Sequence, residues 1–172
     1  MELPKNFNHS GTLPPGDYEL TIEELLSSIL VEGPNPKPIH WDTHWRRKLV
    51  INLAILAHQL WNVGIKHIFI DGSFVEEKNH PNDIDGYFEC DPMEFGKIIR
   101  SLNEIDPHKS WTWPPDDHPK MWYMYNIEFF PHLGQKCGID DITGYPLEFP
   151  AAFRQTRDFE PKGIIKTIPE RR

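Results

Sequence analysis

The residues best suited to chemistry in this sequence are acidic, and they cluster near its middle. Eight acids and one lysine lie between His67 and Glu94. Among them, Asp83 and Asp85 are two residues apart on a predicted strand, so both side chains should point to the same face of a sheet. Two carboxylates this close repel each other unless a cation lies between them, and hard cations such as Mg²⁺ prefer oxygen ligands. The spacing therefore predicts a divalent-cation site.

A third carboxylate and a glycine-serine pair complete the candidate site. Glu128 lies in an aromatic run that we predict to be a strand, where a carboxylate is costly to bury unless it is paired or bound to a metal. Upstream, Gly72 and Ser73 interrupt another predicted strand. Glycine lets the backbone approach a ligand closely, and the serine hydroxyl and the following amides can face a phosphate. We therefore expect a phosphate group to bind beside the acids.

Helices and strands alternate along the chain that must position these residues. A capping box and leucines at three- and four-residue spacing are among the signals that predict the helices. Three helices are expected: about Ile22 to Val31, Asp42 or Thr43 to just before Gly64, and Asp91 to about Asn103 with Met93 on its buried face. Four strands are expected: Lys66–Asp71, Asp83–Cys90, Met121–Phe130 and Gly163–Ile168. This order predicts an α/β (α+β) fold with a small mixed β-sheet flanked by helices.

The chain is expected to form a single domain over residues 1–172. No glycine- or serine-rich linker divides it, and its prolines cluster in segments that read as turns or loops. The core should lie at about residues 42–135, with the N-terminal helix and the C-terminal strand packed on it.

The amino-acid composition limits the classes of partner that this protein is expected to bind. The 172 residues include 18 Lys and Arg against 26 Asp and Glu, for a net charge of −8. Binding duplex DNA requires a surplus of basic residues, so the acid excess counts against it. No run of eighteen apolar residues and no signal-peptide core is present, so no membrane association is expected. Cys90 and Cys137 form no CxxC pair, which favours a reduced, cytoplasmic protein.

Several other residue types allow a functional interpretation, although a structural role is favoured. The nine histidines include no convincing short-spaced ligand pair, so no zinc site is expected. Trp111, Trp113 and Trp122 could stack on a base, but packing is the commoner role. The basic run from Arg46 to Lys48 is interpreted as a solvated helix face. The segment from Arg154 to Arg172 has six bases and three acids, a balance that would suit a polyphosphate.

The order of these parts resembles the signature of the nucleotidyltransferase superfamily with the DNA polymerase β-like fold. That signature is a strand, Gly-Ser, a short spacer, Asp-x-Asp and a third acid on a later strand. It stands here as Ile70-Asp71-Gly72-Ser73, nine residues, Asp83-Ile84-Asp85, and Ile127-Glu128-Phe129, within residues 49–132. The whole chain is similar to a small bacterial and phage branch of the superfamily, through residues 13–16, 71–75, 128–131 and 161–165.

The resemblance implies transfer of a nucleoside monophosphate from a nucleoside triphosphate to a hydroxyl of a protein, an RNA end or a small molecule. Asp83, Asp85 and Glu128 would be the catalytic residues and the ligands of Mg²⁺ or Mn²⁺, and Gly72 and Ser73 would hold the β- and γ-phosphates. One metal would lower the pKa of the acceptor hydroxyl and another would neutralise the leaving pyrophosphate. Such small transferases often resemble components of toxin–antitoxin or phage-related systems.

Two positions depart from the superfamily pattern. Glu128 stands where Asp is usual, and no arginine follows Ser73. Lys78 or a base from the C-terminal segment would have to hold the triphosphate, and Lys162, ahead of the last predicted strand, is the best candidate. A catalytically degenerate nucleotide- or partner-binding module, used in defence or counter-defence, therefore stays open as a second hypothesis. A structural domain with merely solvated acids is a third.

Overall fold

A computed structural model of the chain describes residues 1–140 and 143–170. Arg171 and Arg172, the last two bases of the C-terminal segment, lie outside the described residues. The fold is a mixed α+β arrangement in which a five-stranded sheet packs against helices. This confirms the fold class predicted from the alternation of helices and strands.

The main sheet combines parallel and antiparallel pairs. The strands are β1 (Asp17–Leu20), β2 (Ile68–Asp71), β3 (Ile84–Glu89), β4 (Ile127–His132), β5 (Lys136–Ile139), β6 (Pro146–Glu148) and β7 (Ile164–Thr167). The order in the main sheet is β1-β7-β2-β3-β4, and β5 and β6 form a separate two-stranded sheet. β2 runs antiparallel to both neighbours, whereas β3 and β4 are parallel. Three strands from the middle of the chain therefore lie side by side.

Within the described residues, six α-helices connect and cover the strands. They are α1 (Ile22–Leu26), α2 (Ile29–Glu32), α3 (Thr43–Asn62), α4 (Phe95–Ile105), α5 (Lys120–Tyr125) and α6 (Phe149–Ala152). Asp42 caps α3 by accepting a hydrogen bond from the Trp45 amide, and is thus the cap of the two, Asp42 or Thr43, that the sequence offers. The helix predicted over residues 22–31 is wrong as a single element, because Ser28 caps a second helix and interrupts the first.

The two faces of the main sheet are packed differently. On one face, the leucines at 49, 53, 56 and 60 of α3 are buried in a large cluster that includes Ile84 and Phe88 of β3. On the other, Phe69, Tyr87 and Ile164 form a smaller cluster against Phe149 and Phe153. Because side chains alternate along a strand, Asp85 lies on the same face of β3 as Tyr87. The acidic residues therefore belong to the face opposite α3.

The strand predicted over Met121–Phe130 is the main error of the sequence analysis. Its first half is helix α5, and only residues from Ile127 onward form β4. Met121 and Tyr125 are buried while Tyr123 between them is 55% exposed, a pattern that fits a helix and not a strand, in which all three would share one face. Asn126 ends the helix in the left-handed conformation at φ 55°, so it does not share a strand face with Glu128. The many aromatic residues in this run concealed the change from helical spacing to the two-residue alternation of a strand.

Smaller corrections concern the edges of the fold. Helix α4 begins at Phe95, not at Asp91, and Met93 is 89% exposed instead of buried. Strand β1 was not predicted, because its four residues carry little pattern without their partner β7. Among the described residues, no helix has the length and hydropathy needed to cross a bilayer.

Candidate metal site

The Gly72–Ser73 turn lies where β2 ends. Gly72 has a φ of 69° and opens a 3-10 turn, Gly72–Val75. A Cβ atom at position 72 would be 2.0 Å from Oδ2 of Asp85. Glycine is required here for two reasons, since the backbone is left-handed and a carboxylate occupies the space of a side chain. The turn is therefore built against the acidic residues.

Strand pairing brings the three predicted carboxylates together. Asp85 is the register partner of Glu128 on the parallel strand β4, and Asp83 stands one residue before β3. Ligand oxygens of Asp83, Asp85 and Glu128 all lie within 4.8 Å of one another, and each residue is half-buried. No other group of three potential ligands is as compact in the described parts of the chain. The spacing matches what one hard cation with oxygen ligands requires.

Electrostatics at the cluster favour a bound cation. Burial, with the charges of Asp83 and Glu128 acting in the same direction, raises the pKa of Asp85 to about 7. A proton or a metal ion would relieve this repulsion. Three carboxylates that converge on one point, beside a turn shaped around one of them, fit a divalent cation. Mg²⁺, Mn²⁺ and Ca²⁺ are ions whose chemistry suits an all-oxygen donor set.

Lys162 lies beneath the turn and is occupied by two carboxylates. Its Nζ is 2.7 Å from Glu76 Oε1 and 3.2 Å from Asp71 Oδ1, and only 5% of the side chain is exposed. Burial lowers the pKa of Lys162, but Asp71 and Glu76 outweigh burial and leave it above the ordinary value. Burial raises the pKa of Asp71 to about 7 in spite of this lysine. Lys162 is thus near the predicted site, held in ion pairs and not open to solvent.

Arg46 holds the segment that follows the turn, and the sequence analysis missed it. Its guanidinium donates to the backbone carbonyls of Leu30, Phe74, Glu76 and Lys78 and lies 4.0 Å from the Trp41 ring centre. The side chain is fully buried, and burial lowers the pKa of Arg46 to about 9, so it stays charged at neutral pH. The prediction of a solvated face is wrong for this residue. Lys78 contributes its carbonyl to this arrangement.

Two aromatic residues flank the cluster. Trp122 Nε1 donates to Asp83 Oδ2 at 2.8 Å, and His118 Nδ1 is 3.2 Å from Glu128 Oε1. The two rings stack with centroids 4.3 Å apart and an interplanar angle of 11°. Packing is the role that the sequence favours for Trp122, because nothing in the sequence shows that α5 lies beside β3. Trp111, by contrast, is fully buried in the core.

Fold and site together define a small α+β protein in which three carboxylates converge beside a Gly-Ser turn. The chain belongs to DUF6932, a family of unknown function whose model matches residues 5–168. No curated protein and no solved structure matches this chain.

Proposed function

We propose that this protein is a nucleotidyltransferase of the DNA polymerase β-like superfamily, which uses Mg²⁺ or Mn²⁺ to transfer a nucleoside monophosphate from a nucleoside triphosphate to a hydroxyl. One observation carries the proposal: Asp83, Asp85 and Glu128 converge within 4.8 Å beside a Gly-Ser turn whose glycine contacts Asp85. These are the parts that the superfamily resemblance assigns to catalysis and phosphate binding.

Each residue has a defined task in this proposal. Asp83, Asp85 and Glu128 would be the ligands of the divalent cation. The backbone amides after Gly72 and the Ser73 hydroxyl would bind the β- and γ-phosphates. A divalent cation would neutralise the phosphates and lower the pKa of the acceptor hydroxyl. The acceptor hydroxyl gives its proton to solvent, and its oxygen attacks the α-phosphorus in line. The bond from that phosphorus to the α–β bridging oxygen breaks, and pyrophosphate leaves. Positioning and charge neutralisation provide most of the rate enhancement.

The acceptor is a hydroxyl of a protein, an RNA end or a small molecule. Duplex DNA is disfavoured because the chain has a net charge of −8. Cys90 and Cys137 are both free thiols, which supports action in a reducing cytoplasm. A toxin–antitoxin or phage-related setting follows only from the superfamily resemblance.

Transfer of label from each of four α-³²P nucleoside triphosphates tests the proposal. The wild type is incubated with Mg²⁺ or Mn²⁺ and with a protein, RNA or small-molecule acceptor. Label transfer is expected for the wild type and should fall at least about 100-fold in Asp85→Asn and Glu128→Gln, since each removes a charge that acts in the transition state. Glu104→Gln, an exposed change on α4, is the matched control. Labelled product that survives equally in all three variants would contradict the proposal.

A second candidate is a nucleotide- or partner-binding module without transferase activity. It is favoured by one observation, the enclosure of Lys162 between Asp71 and Glu76, which leaves the best candidate cation for the triphosphate already paired. This candidate predicts nucleotide binding that requires a divalent cation and is lost in Asp85→Asn, without label transfer to any acceptor. Equilibrium dialysis with and without EDTA, alongside the transfer assay, separates the two.

A further inference from the structure

Two ring nitrogens contact the acidic cluster: Trp122 Nε1–H donates to Asp83, and His118 Nδ1 donates to Glu128 in the tautomer that carries a proton on Nδ1. Trp122 reaches only Oδ2 of Asp83, and His118 reaches only Oε1 of Glu128. A carboxylate has two oxygens with about four acceptor positions, so each residue keeps an oxygen for another partner. The contacts therefore orient the carboxylates without consuming their capacity to bind a cation.

The stacked pair of rings is held from several directions. Tyr123 packs edge-on against both His118 and Trp122. Its hydroxyl donates to Asp117 Oδ1 at 2.6 Å, and the same oxygen accepts the backbone amide of His118 at 2.8 Å. The rings thus form a small braced unit rather than two independent surface side chains.

The backbone ties this unit to the strands that carry the acids. Helix α5, which bears Trp122, ends at Asn126, whose carbonyl accepts the Ile84 amide at 3.1 Å. Ile84 directly follows Asp83, and β4 with Glu128 begins one residue after Asn126. The side chain of Asn52 on α3 donates to the Tyr125 carbonyl at 2.9 Å and fixes the end of the same helix. The donors and the carboxylates therefore keep their relative positions.

We propose that Trp122 and His118 are positioning residues that turn the carboxylates of Asp83 and Glu128 toward a shared divalent cation. The proposal rests on the metal site of the proposed function, but not on the transfer reaction. Without these donors, mutual repulsion within 4.8 Å would favour rotation of the two carboxylates away from Asp85. Donors behind metal-binding groups orient them and typically change metal affinity 10- to 100-fold when removed.

Mn²⁺ affinity without nucleotide, measured by isothermal titration calorimetry, tests this role. Trp122→Phe and His118→Phe keep an aromatic ring and remove the donor, and each should raise the Kd about tenfold. Trp61→Phe is the matched control, because Trp61 is half-buried and its Nε1 has no hydrogen-bond partner among the described residues. It should leave the Kd unchanged. Because His118 is exposed, its variant is expected to fold even if Trp122→Phe does not.

A spectroscopic measurement distinguishes positioning from general packing. The six indole N–H resonances are followed by NMR during titration with Mg²⁺, and Trp122→Phe and Trp61→Phe assign two of them. The Trp122 resonance should shift with the Kd that calorimetry gives for Mg²⁺, and the Trp61 resonance should not shift. A stack that merely packs would leave both resonances unmoved.

The outcomes separate this inference from the proposed function. Folded His118→Phe and Trp122→Phe proteins that bind Mn²⁺ within twofold of the wild type would overturn the positioning role and leave transfer untouched. A wild type that binds no Mn²⁺ overturns it as well. Weaker Mn²⁺ binding in both variants, with no label transfer by the wild type, would support the positioning role and count against the transferase.

Discussion

Replacing Gly72 with alanine tests the contact between the turn and the acidic cluster directly. The new Cβ would lie 2.0 Å from Asp85 Oδ2 and 2.8 Å from its Cγ. An ordinary contact is about 3.4 Å, so Oδ2 must move by about 1.4 Å. Metal–ligand distances tolerate changes of only about 0.2 Å, so Asp85 would no longer converge with Asp83 and Glu128. We expect the affinity for Mn²⁺ to fall at least tenfold.

The stability change has two parts that a control can separate. Alanine in the left-handed region costs roughly 1–2 kcal/mol, which applies to Gly72 at φ 69° and to Gly64 at φ 89°. Nothing lies within 4 Å of a Cβ built on Gly64, so Gly64→Ala has the backbone cost alone. Gly72→Ala should have the same backbone cost plus the displacement of Asp85. Its loss of unfolding free energy should therefore be the larger of the two.

Urea denaturation and Mn²⁺ calorimetry on both variants complete the experiment. Gly64→Ala should lose stability and keep the Kd for Mn²⁺ of the wild type, which excludes a general effect of backbone strain on metal binding. If folded Gly72→Ala binds Mn²⁺ as tightly as Gly64→Ala, then the contact between the turn and Asp85 does not shape the site, and the reasoning is refuted.

Three further predictions concern charge. Folding raises the pKa of Asp85 from 3.8 to about 7, so the folded state binds this proton more tightly than the unfolded chain does. The Tm measured in EDTA should therefore fall as the pH rises from 4 to 7. The fall should be smaller when Mg²⁺ replaces EDTA. Lys162→Met leaves two carboxylates unpaired and should lower the free energy of unfolding, measured in urea, by about 3–5 kcal/mol. Lys166→Met, whose partner Glu19 is half-exposed, should lower it by about 1 kcal/mol or less. Equal losses in the two variants would contradict this. Arg46→Lys cannot donate to all four carbonyls and should lower the free energy of unfolding by at least about 3 kcal/mol. The control Arg47→Lys, at an exposed ion pair with Glu32, should lower it by less than about 1 kcal/mol. A loss below about 3 kcal/mol at position 46 would refute the anchoring role.

The parts of the fold that the sequence predicted well are those with a long, regular pattern. The apolar face of α3 recurs over about three turns from Leu49 to Leu60, and Asp42 provides a local capping signal, so both follow from nearby residues. Strands β2 and β3 lie within their predicted ranges. Each is a short apolar run, one ending at Gly72 and the other beginning after Asp83, and such a run fits few structures other than a strand. Helix α5 and strand β1 were missed, because each is short and depends on partners distant in the chain.

The same distinction applies to the site. Local sequence patterns indicate which carboxylates could meet, because Asp83 and Asp85 have strand spacing and Gly72 marks a turn that favours glycine. Whatever depends on distances through space follows only from the packed fold. The register of β3 with β4 brings Glu128 beside Asp85, and the packing of α5 brings Trp122 onto Asp83. Lys162 is paired rather than free because strand β7 lies beside β2. Local patterns report which groups are available, but pairing and burial, which set their charge and orientation, arise only when distant segments pack.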